Sequence, residues 1–160
     1  MSTLPKHLRE RWRYLGVGIE GWPDADFDRG TFQRQVWYAA QNLLGDVGSA
    51  EADLRVLGFE FSGGDGEAVV RVRHGHVRAA RAALACVDEV DGAPVRVHVR
   101  GTSGTVRGCE EKYLGRGREP PEERTVAYRG ADRAAVVRGD RVDVRTDGRF
   151  VGATHLDLAL

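Results

Sequence analysis

One segment, residues 95–114 (VRVHVRGTSGTVRGCEEKYL), contains a strand pattern that leads directly into a helix pattern. Its first half alternates three valines with three basic residues, namely Val95, Val97 and Val99 with Arg96, His98 and Arg100. Such alternation predicts a strand with one buried face and one basic face. After a glycine-rich turn, in which Thr102 or Ser103 could cap a helix, Val106, Cys109 and Tyr113 recur at helical spacing.

The start of this helix carries a cation where the helix dipole disfavours one. Arg107 lies in the first turn, beside backbone N–H groups that have no partner within the helix. This combination suits an anion such as phosphate. An ordinary capped helix with a solvated arginine is the alternative.

The rest of the chain supplies further strands and helices of one recognisable order. Strands are predicted at residues 11–20, 54–61 and 67–73, and helices from Asp28 or Thr31 to Leu44 and over residues 76–87. Gly45 is expected to end the first helix, a bulge is expected near Leu57 or Gly58, and GGDG at residues 63–66 predicts a hairpin turn. The order predicts an α+β fold, an α/β sandwich with a ferredoxin-like or RRM-like β-α-β-β-α-β core. We expect helices over one face of an antiparallel sheet and an extra helix after the core.

The composition divides the chain into a main domain and a small extension. We assign residues 1–115 to the α/β domain, residues 116–124 (RGREPPEER) to a linker, and residues 125–160 to a C-terminal β extension. Short strands are predicted at residues 125–128, 134–138, 142–145 and 150–158, joined by RGD and TDG turns.

Charge and hydrophobicity exclude some classes of protein. The 24 basic and 24 acidic residues cancel, so an argument for nucleic-acid binding must depend on where the charges lie. No apolar run reaches the roughly 18 residues that a membrane helix needs, and the amino terminus lacks a secretory apolar core, so a cytoplasmic protein without membrane contact is expected. Cys86 and Cys109 lack CxxC spacing and are expected to be reduced packing residues.

The predicted sheet face opposite the helices is basic and partly aromatic. It collects Trp12, Tyr14, Arg71, Arg73, Arg96, His98 and Arg100. Guanidinium groups meet phosphates and rings stack on bases, so this face is a plausible RNA platform, although a solvated polar face is the alternative. The third strand lacks the paired aromatics of the RNP1 motif, which argues against base stacking of the RRM type.

No catalytic constellation is evident. The five histidines show no HExxH spacing, and neither GxSxG nor a Walker A sequence occurs, so we predict no catalytic and no metal-ligating residues. Trp37 and Tyr38 extend the apolar stripe of the first helix beyond what a lone amphipathic helix needs, which predicts core or partner contacts.

Three blocks of sequence carry a family resemblance. They are KHLRERWRYLGVGIE at residues 6–20, the run FQRQVWYAAQNLLGDVGSAEADLRVLGFEF at residues 32–61, and GTSGTVRGCEEKYL at residues 101–114. In this order and spacing they resemble the ribonuclease P protein component 2 family, archaeal relatives of the Pop-type subunit shared by RNase P and RNase MRP. The resemblance covers residues 4–115 and leaves residues 125–160 without an assigned role.

The resemblance implies a non-catalytic protein subunit of a ribonucleoprotein endonuclease that removes 5′ leaders from precursor tRNA. In that family the RNA performs the hydrolysis with magnesium ions, so no cofactor is expected on this chain. The implied partners are RNase P RNA, protein component 3 and other RNase P protein subunits, with precursor tRNA as the substrate. Self-association through a contact between component 2 subunits is also implied.

These expectations define the candidate residues. The candidate RNA contacts are Lys6, Arg9, Arg11, Arg13, Tyr14, Arg71, Arg73, Arg96, Arg100, Ser103, Thr105, Arg107 and Lys112. Trp37 and Tyr38 are the candidate partner contacts. Two other functions fit the residues: a protein-interaction module, and a ferredoxin-like regulatory domain that binds a small molecule.

Overall fold

The computed structural model describes residue 5 and residues 11–115 and 121–153. Its elements, in chain order, are β1 (Trp12–Gly21), α1 (Arg29–Ala52), β2 (Arg55–Ser62), β3 (Asp65–Arg73), α2 (Val77–Ala85), β4 (Glu89–Val90), β5 (Ala93–Ser103), α3 (Val106–Tyr113), β6 (Glu122–Tyr128), β7 (Ala131–Arg138), β8 (Arg141–Thr146) and β9 (Arg149–Ala153). In the described part of the chain, no helix is long and apolar enough to cross a membrane.

The main sheet has the strand order β2-β3-β1-β5-β4, and its neighbouring strands pair antiparallel. Elements β1, α1, β2, β3, α2 and β5 follow one another as in a split β-α-β fold, which confirms the predicted fold class. The predicted bulge is also present, because the pairing of β2 with β3 shifts between Val56 and Gly58. Gly63 and Gly64, both at positive φ, make the tight hairpin turn that GGDG predicted.

The hydrophobic core lies between this sheet and the pair α1 and α2. Leu15, Val17 and Ile19 point to it from β1, because alternate strand residues share a face, and each is fully buried. Phe32 from α1 and Leu84 from α2 pack against them. Burying a side chain of this size contributes roughly 1.5–3 kcal/mol, so this layer fixes which face of the sheet looks outward.

Helix α1 begins as predicted and ends later. Oδ1 of Asp28 accepts a hydrogen bond from the Thr31 backbone N–H at 2.8 Å, an N-cap that holds the pKa of the Asp28 carboxyl below its usual range. Helical geometry breaks at Gly45 as predicted, but a second helical stretch follows the break. Gly45 has φ 75° and ψ 173°, which kinks the helix, but the chain then resumes helical geometry to Ala52. Asp53, at φ 49°, is the residue that ends it in the left-handed region.

Helix α3 packs on the opposite face of the sheet from α1 and α2, so the expectation that all helices share one face is wrong. The cause is the absence of side chains at Gly16 and Gly101 on the outer face, which leaves room for Tyr113 of α3. A Cβ at Gly16 would lie 2.6 Å from Cβ of Tyr113, and a side chain at Gly101 would collide with the Tyr113 ring. The cap also differs from the prediction, because the hydroxyl of Thr105 accepts from the Gly108 N–H at 3.0 Å.

The C-terminal strands form a second antiparallel sheet in the order β6-β7-β8-β9, which we call the meander. Val126, Ala135, Val142 and Val144 are its small buried core. The predicted strands are present, although β6 already begins at Glu122, within the predicted linker 116–124. Residues 116–120 and the predicted strand end at 154–158 lie outside the described residues. The division of the chain at residues 115 and 125 stays a prediction.

Candidate nucleic-acid interface

The outer face of the main sheet is the face opposite α1 and α2, and it brings the predicted basic residues together. Trp12 pairs with Arg73 and Tyr14 with Arg71, while His98 and Arg96 lie opposite Gly18 and Glu20 of β1. Because these positions alternate with the buried residues of the same strands, their side chains share the outer face. The face has three parts: an uncovered end, a centre under α3, and an end under the meander.

The uncovered end, which we call the open corner, consists of Trp12, Tyr14, Arg55, Arg71 and Arg73. Cζ of Arg71 lies 3.9 Å from the centroid of the Trp12 ring, and Cζ of Arg73 lies 5.5 Å from it. Such cation–π contacts hold a guanidinium in place without neutralising its charge. The open corner therefore presents fixed positive charge beside an indole.

Sequence reasoning missed Arg55. It lies directly opposite Arg71 in the pairing of β2 with β3, so it belongs to the same face, and its side chain is exposed. The signal was present in the sequence, because Arg55 alternates with the buried Leu54 and Val56. The bulge between Val56 and Gly58 changes the parity of the strand and conceals this alternation.

The centre of the face is occupied by α3. Nη1 of Arg100 forms an ion pair with Glu67 and donates to the carbonyl oxygen of Tyr113 at 2.7 Å. Cys109 of α3 is fully buried, and burial, together with the negative charge of Glu110, raises the pKa of its thiol to about 11. Arg100 thus ties the end of α3 to the sheet, and Cys109 is a packing residue as predicted. The same prediction for Cys86 is wrong, because Cys86 follows the last turn of α2 and is exposed.

The meander covers the other end of the face, which we call the closed end. It is a cluster of two buried carboxylates, Glu20 and Asp143, and three arginines, Arg96, Arg138 and Arg141. Arg96 holds Asp143 with two hydrogen bonds, of 2.6 and 3.1 Å, and Arg141 holds Glu20 with two, of 2.9 and 3.2 Å. The meander is therefore joined to β5 through Arg96 and to β1 through Glu20.

Arg138 is the most buried cation of the closed end, with 8% of its side chain exposed. Its Nε lies 3.2 Å from both Glu20 and Asp143. Its Nη2 donates to the carbonyl oxygen of Gly21 at 2.6 Å and its Nη1 to that of Gly64 at 3.2 Å. One meander side chain thus satisfies two backbone carbonyls of the main domain.

The protonation equilibria reflect this arrangement. Burial alone would raise the pKa of Glu20, but the Arg141 hydrogen bond and the charges of Arg138, Arg141 and Arg96 outweigh burial, so the pKa lies below its ordinary value. The hydrogen bonds from Arg96 to Asp143 raise the pKa of Arg96. Both groups are charged at neutral pH, and the closed end is an internal ion-pair cluster.

The start of α3 is an internally capped helix end. Thr105 accepts from the Gly108 N–H, and Oγ of Ser103 accepts from the Thr105 N–H at 3.4 Å. Arg107 is exposed and pairs with Glu111 one turn later at 2.8 Å. Lys112 is exposed in the last turn. Phosphate binding at this helix start stays a prediction.

The remaining candidates lie elsewhere. Arg11 and Arg13 have the opposite parity to Trp12, so they lie at the rim of the sheet rather than on the outer face. Lys6 and Arg9 are outside the described residues. Among the described residues, no three of His, Cys, Asp and Glu come together in a group that could hold a metal ion.

Trp37 and Tyr38 lie on α1, away from the outer face. Trp37 and Tyr38 are 40% and 60% exposed, and Leu43 and Val47 are also exposed on the same helix. The indole Nε1 of Trp37 donates to the Leu54 carbonyl at 2.8 Å, which fixes the ring against the end of α1. Isolated exposed apolar residues are common, but four on one helix are typical of an interaction surface.

Comparisons with known proteins agree with one another. Over 157 residues the chain is 62% identical to ribonuclease P protein component 2 of Halorubrum lacusprofundi, covering 98% of this chain and 99% of that protein. It is 63% identical over 158 residues to the protein of the same name from Natronomonas pharaonis, covering 99% and 98%. A relative from Methanosarcina barkeri is 36% identical over 114 residues, covering 71% of this chain and 80% of that protein.

A solved structure and a family match complete the comparison. One chain of the cryo-EM structure of yeast ribonuclease MRP aligns with a TM-score of 0.47 at 16% identity, covering 59% of this chain and 75% of that chain. The family description that matches residues 13–114 is Rpp14/Pop5, which spans the main domain from β1 to α3. This match, together with the relatives that are similar along the whole chain, establishes that the protein is a member of the Rpp14/Pop5 family.

Proposed function

We propose that this protein is a non-catalytic subunit of the ribonuclease P ribonucleoprotein, which removes 5′ leaders from precursor tRNA. The observation that carries the proposal is the identity of 62% and 63% to two ribonuclease P component 2 proteins over nearly their whole length. The geometry is compatible with this role, because the outer face offers fixed guanidinium groups and an internal ion-pair cluster. It contributes RNA contact and architecture to a reaction whose chemistry belongs to the RNA and its magnesium ions.

Within this role we assign RNA contact to the open corner and the adjoining rim. Arg55, Arg71 and Arg73 present charge there, and Arg11 and Arg13 lie at the rim of the same sheet end. Arg96 and Arg100 hold internal ion pairs instead, so we give them a structural role. Neutral net charge is then no obstacle, since the paired arginines and carboxylates cancel each other elsewhere.

Reconstitution tests the function. RNase P RNA, component 3 and the remaining protein subunits are assembled with and without this chain, and 5′ leader removal from precursor tRNA is measured at limiting magnesium. We expect the full chain to raise the rate and to lower the magnesium requirement. Equal rates with and without the chain would overturn the proposal.

A matched pair of variants tests the RNA contact. The open-corner variant carries Arg11→Gln, Arg13→Gln, Arg55→Gln and Arg71→Gln. The control carries Arg78→Gln, Arg81→Gln, Arg124→Gln and Arg149→Gln, which remove the same charge from exposed positions on α2 and the meander. We expect the open-corner variant to lose RNA affinity at every salt concentration tested and the control to retain it. Equal losses would mean that only net charge matters.

We further propose that the exposed surface of α1 around Trp37 and Tyr38 docks another protein subunit, with component 3 as the partner. The support is the exposed apolar run along α1, which lies away from the open corner. Tyr38→Glu is expected to weaken binding to component 3 and to spare RNA binding, as measured by calorimetry with each ligand. Arg34→Glu, an exposed change one turn earlier on α1, is the control. Component 3 binding that is equally strong in both variants would place the contact elsewhere.

The proposed function also determines where the protein acts and where the metal binds. We place this subunit in the cytoplasm and the magnesium ions on the RNA. No observation on the described residues favours the small-molecule regulatory domain that the ferredoxin-like order left open. Thermal stabilisation of the chain by a metabolite, without stabilisation by RNA, would revive that alternative.

A further inference from the structure

The arginines of the open corner are held differently from the other arginines of the outer face. Trp12 and Arg73 are direct partners in the pairing of β1 with β3, and Arg71 is the next residue of β3 on the same face. The pairing alone therefore brings both guanidinium groups to the indole, at 3.9 and 5.5 Å from its centroid. The strand register presets their positions before any ligand arrives.

What distinguishes Arg71 is the lack of an acidic partner. Its Nε is also buried without a hydrogen bond, but Nη2 of Arg100 and Nε of Arg133 share that property. Within the described residues no carboxylate forms an ion pair with Arg71, whereas Arg73 is held by Asp53 at 3.6 Å. Arg96 and Arg100, on the same face, both have acidic partners. Stability alone does not account for a stacked, unneutralised guanidinium.

One neighbour of Arg71 adds a second positive charge. Arg55 is its cross-strand partner in β2, and it is exposed. Two arginines are thus paired across neighbouring strands, one stacked on an indole and one exposed to solvent. A guanidinium presents a planar fork of N–H donors that matches the oxygens of a phosphate.

The indole itself is a poor platform for a base. Arg71 already covers one face of the ring at 3.9 Å, so a base cannot stack on that face. Trp12 is better described as the support that orients the guanidinium, since the stack fixes the plane of the fork. This distinguishes the open corner from surfaces where aromatic rings stack on bases directly.

We propose that Trp12, Arg55 and Arg71 form a clamp for the phosphodiester backbone of RNA, in which the indole orients the Arg71 fork and no base is read. The clamp rests on the proposed function, because RNase P RNA is its ligand. Arg71 contacts the phosphate, Arg55 adds a second charge, and Trp12 is a positioning residue. The clamp tolerates any sequence at the nucleotide that it holds.

Three variants of the full chain test the clamp in equilibrium binding to RNase P RNA across a range of salt. Arg71→Gln is expected to weaken binding roughly fivefold and to lower the salt slope by about one, as for one lost phosphate contact. Arg71→Lys keeps the charge but loses the fork and the stack, so it should recover the salt slope but not the affinity. Trp12→Leu should weaken binding about threefold with the salt slope unchanged, because the charge remains while its orientation is lost. Arg149→Gln, an exposed meander arginine, is the matched control.

A phosphate ethylation interference experiment locates the contact. With the wild-type chain, ethylation of one or two phosphates should block binding, and the Arg71→Gln variant should lose interference at those phosphates alone. Full affinity and an unchanged interference pattern in all three variants would overturn the clamp while leaving the proposed function in place. Failure of the wild-type chain to bind RNase P RNA would overturn both. Loss of the Trp12→Leu effect on RNA whose protected nucleotide has been made abasic would show base stacking instead, which also contradicts the clamp.

Discussion

The two ends of the outer face use the same residue type in opposite ways. At the open corner, Arg71 and Arg73 of β3 lie against the indole of Trp12, and Arg71 has no acidic partner among the described residues. At the closed end, arginines from β5 and the meander surround Glu20 and Asp143, and their charge is largely neutralised. The difference follows from what the neighbouring strand supplies at the paired position: an aromatic ring at one end and a carboxylate at the other. An arginine on a strand therefore carries no functional meaning until its cross-strand partner is known.

The largest expected effect is at the closed end. Arg138→Met removes the most buried cation and leaves the carbonyls of Gly21 and Gly64 without their donor. Removing one partner of a buried ion pair costs about 3 kcal/mol or more, so the free energy of unfolding should fall by about that amount. Chemical denaturation measures the loss, and limited proteolysis should show earlier cleavage in the meander. Arg141→Met, at a residue whose side chain is 56% exposed, should cost about 1 kcal/mol or less. Equal losses in the two variants would contradict the difference in burial.

Acid should weaken the closed end before the open corner. The pKa of Glu20 in the folded protein lies below its ordinary value of 4.5, so the unfolded chain binds a proton there more readily. Its stabilisation is therefore fully present above pH 4.5 and is lost as the pH falls through the lower, folded-state pKa. Unfolding free energies of the wild type and Glu20→Gln, measured from pH 7 downward, should converge below pH 4.5. A constant difference across that range would mean that the charge of Glu20 does not matter.

Substitutions at the open corner should lower the free energy of unfolding only slightly. Trp12→Leu removes two cation–π contacts at a partly exposed site, which contribute about 0.5–1 kcal/mol. Arg71→Met should cost no more than that, since it also relieves the buried Nε–H that has no acceptor. Denaturation midpoints measured beside Arg138→Met test the ranking. A loss at Trp12 as large as that at Arg138 would mean that the open corner is primarily structural.

At the centre of the face, the test needs no substitution and compares the reactivity of two cysteines. Cys109 lies on the buried side of α3 and its pKa is raised to about 11, while Cys86 is exposed. Alkylation with iodoacetamide at pH 8 should modify Cys86 readily and leave Cys109 untouched in the folded protein. Peptide mass mapping distinguishes the two sites. Modification of both at similar rates would show that α3 leaves the sheet easily.

The order of elements could be predicted from the sequence because it depends on local patterns. Alternating residues in β1, β3 and β5 and the Asp28 cap are each visible within a few neighbouring positions. The face shared by Trp12, Tyr14, Arg71 and Arg73 then followed from topology. The family resemblance was also readable, because three separated blocks occur in one order.

The parts that could not be predicted depend on contacts between distant segments. Nothing local in Arg96 indicates that Asp143, 47 positions later, takes its charge, and nothing in Gly45 separates a kink from a stop. The bulge in β2 hid Arg55, because a change of parity looks like a break in the pattern. Long-range pairing decides which of the arginines remain available, and a single sequence does not contain that information in readable form.

The ring of Tyr113 over Gly16 and Gly101 has a consequence for how such proteins can diverge. The three positions come from β1, β5 and α3, yet their shapes are complementary, because the ring occupies the space that a side chain at either glycine would need. A side chain gained at either glycine would expel the ring, so we expect the three to vary in concert across relatives. Where the aromatic residue is lost, helix α3 is free to settle at another height on the sheet, and the extent of the uncovered basic surface changes with it.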